Sequence, residues 1–362
     1  PMTMKTFTRL LAYLTLLVAT GCGGGGGSDD PGGNNPPPSG GIVRTGFAIG
    51  PIANFGSVIV NGVRYTTTGA TITVDDSPGV ESDLQVGEVV RIRGELDAGL
   101  TTGPASQISF DDNVEGPVQS INVAGSSLVV LGQTVRIGAA TSFDDNIQPA
   151  SLAGLVVGDI VEVSGLVMAD GSIDATRIEK KPAGSLFEVH GTVSSLDTNN
   201  SRFNLNALVV DYSGAQLDNF PSGQISNGQA VEAKGSTLNA NGALVASRVE
   251  FEGSTVTGPA GDRVEIEGFI TRFVSAQDFD VSGIPVTTGT ATVFEGGTAA
   301  DLGLNVKVEV EGNLTAGGAI TASEVDIRRA TEVRVTALVD SVNAAANSLD
   351  LLGITVRIDA LT

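Results

Sequence analysis

The sequence predicts an all-β chain, and three observations carry that expectation. One pattern of about 70 residues recurs four times and begins a fifth time. Within each copy, apolar and charged residues alternate at period two, as in Val161-Glu162-Val163, Val264-Glu265-Ile266-Glu267 and Val306-Lys307-Val308-Glu309-Val310-Glu311. That alternation turns one side of a strand into a core and the other into water. Composition agrees: Gly supplies 48 of 362 residues, aromatics make up 4%, Trp is absent, and β-branched residues dominate the apolar set. Repeats divide the chain into small units, so no single large core is required.

Residues 1–21 precede the repeats and read as a signal peptide. Lys5 and Arg9 form the positive segment, and the apolar stretch Leu10–Val18 is shorter than the roughly 20 residues a membrane span needs. The stretch ends in Ala19-Thr20-Gly21 before Cys22, the only cysteine. Small residues suit a peptidase pocket, and the segment resembles the lipobox of bacterial lipoproteins. The resemblance implies cleavage before Cys22, a diacylglycerol on its sulfur and an acyl chain on the new N-terminus. One acyl chain binds a membrane only marginally, so several make the anchor durable. Gly23 stands where an Asp often retains Gram-negative lipoproteins at the inner membrane, which favours the outer membrane. The expected location is the bacterial cell envelope, with the membrane as partner through Cys22.

Residues 22–41 follow as a linker. From Gly23 to Gly41 it holds Gly, Ser, Asp, Asn and Pro and no apolar residue. Nothing there can be buried to offset the entropy of ordering, so a disordered tether of roughly 25 Å reach is expected.

The repeats then occupy 42–112, 113–184, 185–259 and 260–330, with a fifth, incomplete one over 331–362. Four landmarks align them. A Gly marks the opening strand at Gly46, Gly116, Gly191 and Gly268, spaced 70, 75 and 77 apart. A turn follows at Asn61-Gly62, Leu131-Gly132, Asn206-Ala207, Ser282-Gly283 and Leu352-Gly353. Next, Gly94, Gly165, Gly235 and Gly312 end a β-patterned run. Finally an Ala stands in the closing strand at Ala105, Ala175, Ala246 and Ala322. Asn-Gly between two apolar runs is the favoured two-residue hairpin turn, and Asp170-Gly171, Asn241-Gly242 and Gly317-Gly318 place a second hairpin in each unit.

Each unit thus reads as an opening strand, a hairpin, a short stretch such as Asp83–Gly87 or Leu152–Gly158 making one helical turn, and a second hairpin. That is the order of an OB-type barrel. An SH3-like barrel or a small open sandwich gives a similar pattern, and the five-stranded OB-like barrel ranks first because closure removes exposed edges. The expected assembly is a rod of barrels in which each touches its sequence neighbours. The last residues, Val356 to Thr362, align with Val135 to Thr141, so the fifth unit stops before its second hairpin. With Pro1 at the other end, the sequence reads as a fragment of a longer repeat protein.

The units resemble a family known as domain of unknown function five-six-six-six, found in tandem in bacterial lipoproteins. The matching residues are Gly116-Pro117-Val118, the turn Val60-Asn61-Gly62-Val63, the run Leu155 to Gly165 and the closing Ala175 to Ile178. The resemblance spans about residues 42 to 362 and brings no catalytic residues with it. Asn305 stands where Gly87, Gly158 and Gly228 lie, and Ala207 replaces a turn glycine, so shifted turns are expected there.

Chemistry is sparse. The net charge is −21, and −23 once Lys5 and Arg9 leave with the signal, which disfavours nucleic acid and anionic lipid as partners. His190 is the only histidine and stands in a slot held by Glu115 and Glu267 in other units, so a solvated strand residue is expected rather than a catalytic base. No Gly-x-Ser-x-Gly elbow or phosphate loop is present. One histidine and one lipid-bearing cysteine disfavour a usual zinc site.

The acidic pairs are the exception. Phe110-Asp111-Asp112-Asn113 and Phe143-Asp144-Asp145-Asn146 repeat one tetrapeptide, and Asp75-Asp76 is a third pair. Calcium takes about six to eight hard oxygens, and Asp111, Asp112, Asn113, Asp144, Asp145 and Asn146 are candidate ligands; solvated turns are the competing expectation. Tyr65 and Tyr212 are expected to pack at barrel rims. The sequence therefore favours a non-catalytic, lipid-anchored spacer, scaffold or adhesin with no cofactor. The alternative is an envelope module that binds a cation, a cationic peptide or a saccharide.

Overall fold

In a computed structural model, the described residues are 44–97, 101–253, 256–328, 339, 341–351 and 354–357. Cys22, the signal segment and the linker lie outside them.

Each of the four repeats is a closed ring of five strands. In repeat 2 these are Val114–Asn122, Ser127–Val130, Gln133–Phe143, Ile160–Val167 and Ile173–Lys180. The first strand pairs antiparallel with the second and the fourth, the second with the third, and the fourth with the fifth. The third and fifth run parallel and close the ring. Repeat 1 closes in the same way through Arg44–Asn54, Val58–Val60, Val63–Thr66, Val89–Leu96 and Thr102–Phe110. Repeat 3 does so through Phe187–Asp197, Arg202–Leu205, Leu208–Asp211, Ala230–Leu238 and Leu244–Glu252. Repeat 4 uses Arg263–Ser275, Asp278–Val281, Ile284–Thr287, Lys307–Leu314 and Ile320–Arg328. The ring order first-second-third-fifth-fourth, with one parallel pair, is that of an OB barrel rather than of a meander or an open sandwich. Of the fifth repeat, Ser341–Asn343, Ser348–Leu351 and Ile354–Arg357 form a three-stranded sheet.

A plug closes each barrel between its third and fourth strands. Leu84, Leu155, Ile225 and Leu302 are buried there, three residues before Gly87, Gly158, Gly228 and Asn305. Those four residues all take positive φ, at +96°, +94°, +87° and +63°. Each donates its N–H to the opening strand, at Ile52, Val118, Val193 and Ile270 respectively. Asn305 therefore holds the turn in place rather than shifting it, because Asn tolerates the left-handed conformation. A single turn of 3₁₀ helix precedes the plug in repeats 1, 2 and 4. At the other irregular turn, Asn206 has φ +49° but Ala207 does not join it at positive φ, unlike Gly62, Gly132 and Gly283.

One landmark needs correction. Gly116, Gly191 and Gly268 pair with Val161, Val231 and Val308 on their fourth strands, and the residue so paired in repeat 1 is Gly50, with Val90. Gly50-Pro51 thus matches Gly116-Pro117. The first hairpin of repeat 1 is shorter, and equal spacing from Gly46 concealed the difference. The turn packs over this glycine: a Cβ at Gly50 would stand 2.2 Å from the Asn61 side chain, and one at Gly116 2.5 Å from Leu131.

The barrels do not contact sequence neighbours alone. The opening strands of repeats 2 and 3 pair antiparallel at Glu188↔Glu115 and Val189↔Val114. Those of repeats 1 and 4 pair parallel from Gly46↔Arg263 to Ile49↔Ile266. Asp76 of repeat 1 meets Lys234 of repeat 3, and Asn305 of repeat 4 accepts the Ala169 N–H of repeat 2. A rod of sequential contacts is therefore not the arrangement.

Candidate functional site

These contacts bury the charged sides of the strands. Glu162, Glu188, Glu232 and Glu265 are each no more than 6% exposed. The alternation that reads as core-and-water is, at these positions, core-and-neighbouring-barrel.

The densest group of such residues lies where repeats 1, 2 and 3 meet. His190 and Glu188 alternate along the opening strand of repeat 3, so both point out of that barrel. Glu232 and Lys234 do the same on the adjacent fourth strand, where Glu232 lies opposite His190. The imidazole Nε2 stands 3.2 Å from Glu188 Oε1 and 3.4 Å from Glu232 Oε1, while Nδ1 stands 3.0 Å from Glu252 Oε2. Lys234 Nζ reaches Glu188 Oε2 at 3.1 Å, Glu232 Oε1 at 3.0 Å and Asp76 Oδ2 at 3.0 Å. Burial alone lowers the His190 pKa, but its hydrogen bonds to Glu188, Glu232 and Glu252 outweigh that and hold it well above the usual imidazole value. Burial pushes Glu188 up to about 7. In Glu232 the bond from His190 overcomes burial and holds the carboxyl down at about 2. His190 is thus not a solvated strand residue.

Asp111, Asp112 and Asn113 form the link from repeat 1 into repeat 2 and enter this site differently. Asn113 is structural: its Oδ1 accepts the Gly165 N–H at 2.6 Å and its carbonyl accepts the His190 N–H at 3.1 Å. Asp111 is half-buried, and burial raises its pKa. Asp112 is 2% exposed, and neither carboxylate oxygen has a hydrogen-bond partner. Burial, then the nearby Glu188 and Glu162 carboxylates, raise its pKa well above the usual range. Asp112, Glu188 and His190 each bring one ligating atom within 4.8 Å of the others, and Asp112 stands in the same relation to Glu115 and Glu162.

Asp144, Asp145 and Asn146 lie elsewhere, in the turn after the third strand of repeat 2. The Asn146 amide donates to Asp144 Oδ2 at 3.0 Å, and the Asp144 carbonyl accepts the N–H of fully buried Ile147. Among the described residues, neither Asp144 nor Asp145 joins a group of three ligating side chains.

A cleft of about 250 Å³ lies between repeats 1 and 4 and is lined by Phe47, Ile49, Arg91, Arg93, Ser109 and Ile284. The Arg93 guanidinium sits 5.1 Å over the Phe47 ring. Tyr65 lies in the core of repeat 1 rather than at its rim, 2% exposed, whereas Tyr212 is half-buried with its ring tilted 5.6 Å from that of buried Phe203.

The family model "Domain of unknown function (DUF5666)" matches residues 48–102, 115–179, 190–250 and 267–326, well over half of the chain and once in each repeat. The chain belongs to this family, as four tandem copies of its domain. No curated protein matches the chain. Among solved structures, Drosophila Unr CSD456 is similar at 14% identity, with 60% of this chain and 98% of that one covered and a TM-score of 0.15. A superposition that poor bears on neither fold detail nor function.

Proposed function

We propose that the chain is a non-catalytic, lipid-anchored protein of the bacterial cell envelope whose clustered barrels serve as a scaffold. The observation that carries this reading is where the side chains point. An OB barrel that grips an oligomer presents aromatic rings on the outer face of its second and third strands. Here Tyr65, Phe203 and Phe279 on those strands turn inward and are buried, and Phe143 packs half-buried against the core. The charged faces of the first and fourth strands join barrel to barrel instead, as at Glu188–Glu115. The chemistry of the chain is used to build the array, which suits a support rather than an enzyme. Cys22 supplies the anchor, and Gly23 after it favours the outer membrane.

Metabolic labelling with a fatty acid tests the anchor. The unmodified protein should take the label, whereas Cys22→Ser should remain an unlabelled precursor outside the detergent phase. An unlabelled wild-type protein would remove the envelope reading.

A further inference from the structure

We propose that Asp112, Glu188 and His190 form a binding site for a divalent transition-metal ion that ties the link between repeats 1 and 2 to repeat 3. The inference rests on geometry and does not depend on the anchor or on the scaffold reading.

The first observation is mutual placement: one ligating atom from each of the three residues lies within 4.8 Å of the other two. Within that group, His190 Nε2 and Glu188 Oε1 are 3.2 Å apart. Two ligand atoms each about 2.1 Å from one ion, at tetrahedral or octahedral angles, are separated by about 3.0–3.4 Å.

The second observation is independent of the acidic crowding. Asp112 is 2% exposed with both oxygens unpartnered, and its carboxylate belongs to this group. Protein interiors seldom leave such a group alone, because a buried polar atom that has given up water without gaining a partner is destabilising. A cation seated between Asp112 and His190 supplies the missing partner.

The third observation is the support behind the ligands. A metal-bound imidazole almost always donates its other ring N–H to a carboxylate, which fixes the ring and its tautomer. Here Nδ1 faces Glu252 Oε2 at 3.0 Å, and an ion at Nε2 would displace the proton shared there with Glu188. Lys234 holds Glu188 through Oε2 at 3.1 Å, so Oε1 remains directed at the same point. It also meets Glu232 Oε1 at 3.0 Å, and Glu232 does not join Asp112 in a group of ligating atoms among the described residues, so that carboxylate is a neighbour rather than a ligand. Glu252 and Lys234 are positioning residues.

The donor set selects the class of ion. One imidazole with two carboxylates suits zinc, manganese or ferrous iron, and three protein ligands leave room for water. Calcium, which takes about six to eight oxygens, is poorly served by a ring nitrogen. The site thus uses Asp112 from the acidic tetrapeptides but with a softer ion and with partners about 75 residues away.

The test uses the intact chain, stripped with a chelator and titrated with zinc by calorimetry, then with cobalt(II) while visible absorption is followed. Wild type should bind a single equivalent of zinc, melt at a higher temperature when loaded, and give a cobalt absorption band. Asp112→Asn keeps size and removes a buried acid, so it should fold and yet bind zinc about 100-fold more weakly. His190→Gln should lose the cobalt band. Glu252→Gln should weaken zinc about 10-fold at unchanged stoichiometry. Asp144→Asn should behave as wild type. Equal zinc affinity in wild type and Asp112→Asn would overturn the proposal, as would saturation by calcium without a cobalt band. Should His190→Gln fail to fold, the Asp112→Asn comparison decides the matter alone.

Discussion

Glu265 shows how a single side chain reports on the contact between barrels. It sits on the outer side of the opening strand of repeat 4, in register with Ala48 of repeat 1, and is 5% exposed. Burial, aided by the Glu309 and Glu311 carboxylates, pushes its pKa up to about 7 despite the Arg263 guanidinium 3.0 Å away. An acid whose folded pKa is raised keeps its proton in the native state after the unfolded chain has lost it. Its contribution to stability is therefore fully present below the unfolded value of 4.5 and is lost as pH rises through about 7. The shift corresponds to about 3 kcal/mol at most. Glu265→Gln should remove that much of the fall in stability between pH 4.5 and 8, read by urea unfolding at both ends. Parallel pH profiles for variant and wild type would mean that Glu265 titrates as a solvated acid. The same concealment explains why the candidate site was only partly legible. Asp111-Asp112-Asn113 stands out as a repeated acidic motif, and Asp112 lies among side chains with ligating atoms. His190 did not stand out, because alignment placed it in a slot filled elsewhere by Glu115 and Glu267. Its companions Glu232 and Glu252 are distant in sequence, and period two cannot tell a face that meets water from one that meets another barrel.

At the scale of elements, two of the four landmarks turn out to be one device. The glycine expected to end each fourth strand lies inside it and pairs across to the alanine of the fifth: Gly94↔Ala105, Gly165↔Ala175, Gly235↔Ala246 and Gly312↔Ala322. A register shift falls beside the glycine each time, so a bulge bends the hairpin around the barrel. Added Cβ atoms there would stand 2.8, 2.5, 2.4 and 2.3 Å from a carbonyl oxygen of the fifth strand. Backbone cannot yield as a side chain does, so Gly165→Ala should cost about 2–3 kcal/mol by denaturant unfolding. Gly138→Ala, whose Cβ would meet nothing closer than 4.0 Å, should be close to neutral. Equal effects would show that the corner is not close-packed. This layer was readable in advance because glycine and alanine are fixed by local geometry. The spacing of the opening glycine misled in repeat 1, where loop length, which sterics leave free, made Gly46 stand in for Gly50.

The whole assembly depends on pairings that no local signal announces. The Gly46–Ile49 and Arg263–Ile266 segments share a sheet although more than 200 residues separate them. In a strictly sequential array, damage in one repeat would spread only to the repeats beside it in the chain. Val310 is fully buried in the core of repeat 4, and Val310→Asp would place a carboxylate there without a partner, costing several kcal/mol and unfolding that barrel. The opening strand of repeat 1 would then lose its neighbour. Hydrogen exchange should therefore quicken at Gly46–Ile49 as well as throughout repeat 4, while Phe203–Val210 in repeat 3 keeps its protection. Repeat 3 precedes repeat 4 directly in sequence, but its opening strand pairs with repeat 2 instead. Loss of protection in repeat 3 with repeat 1 untouched would restore the rod, and with it an array in which the acidic junction around Asp112 joins neighbours by sequence alone.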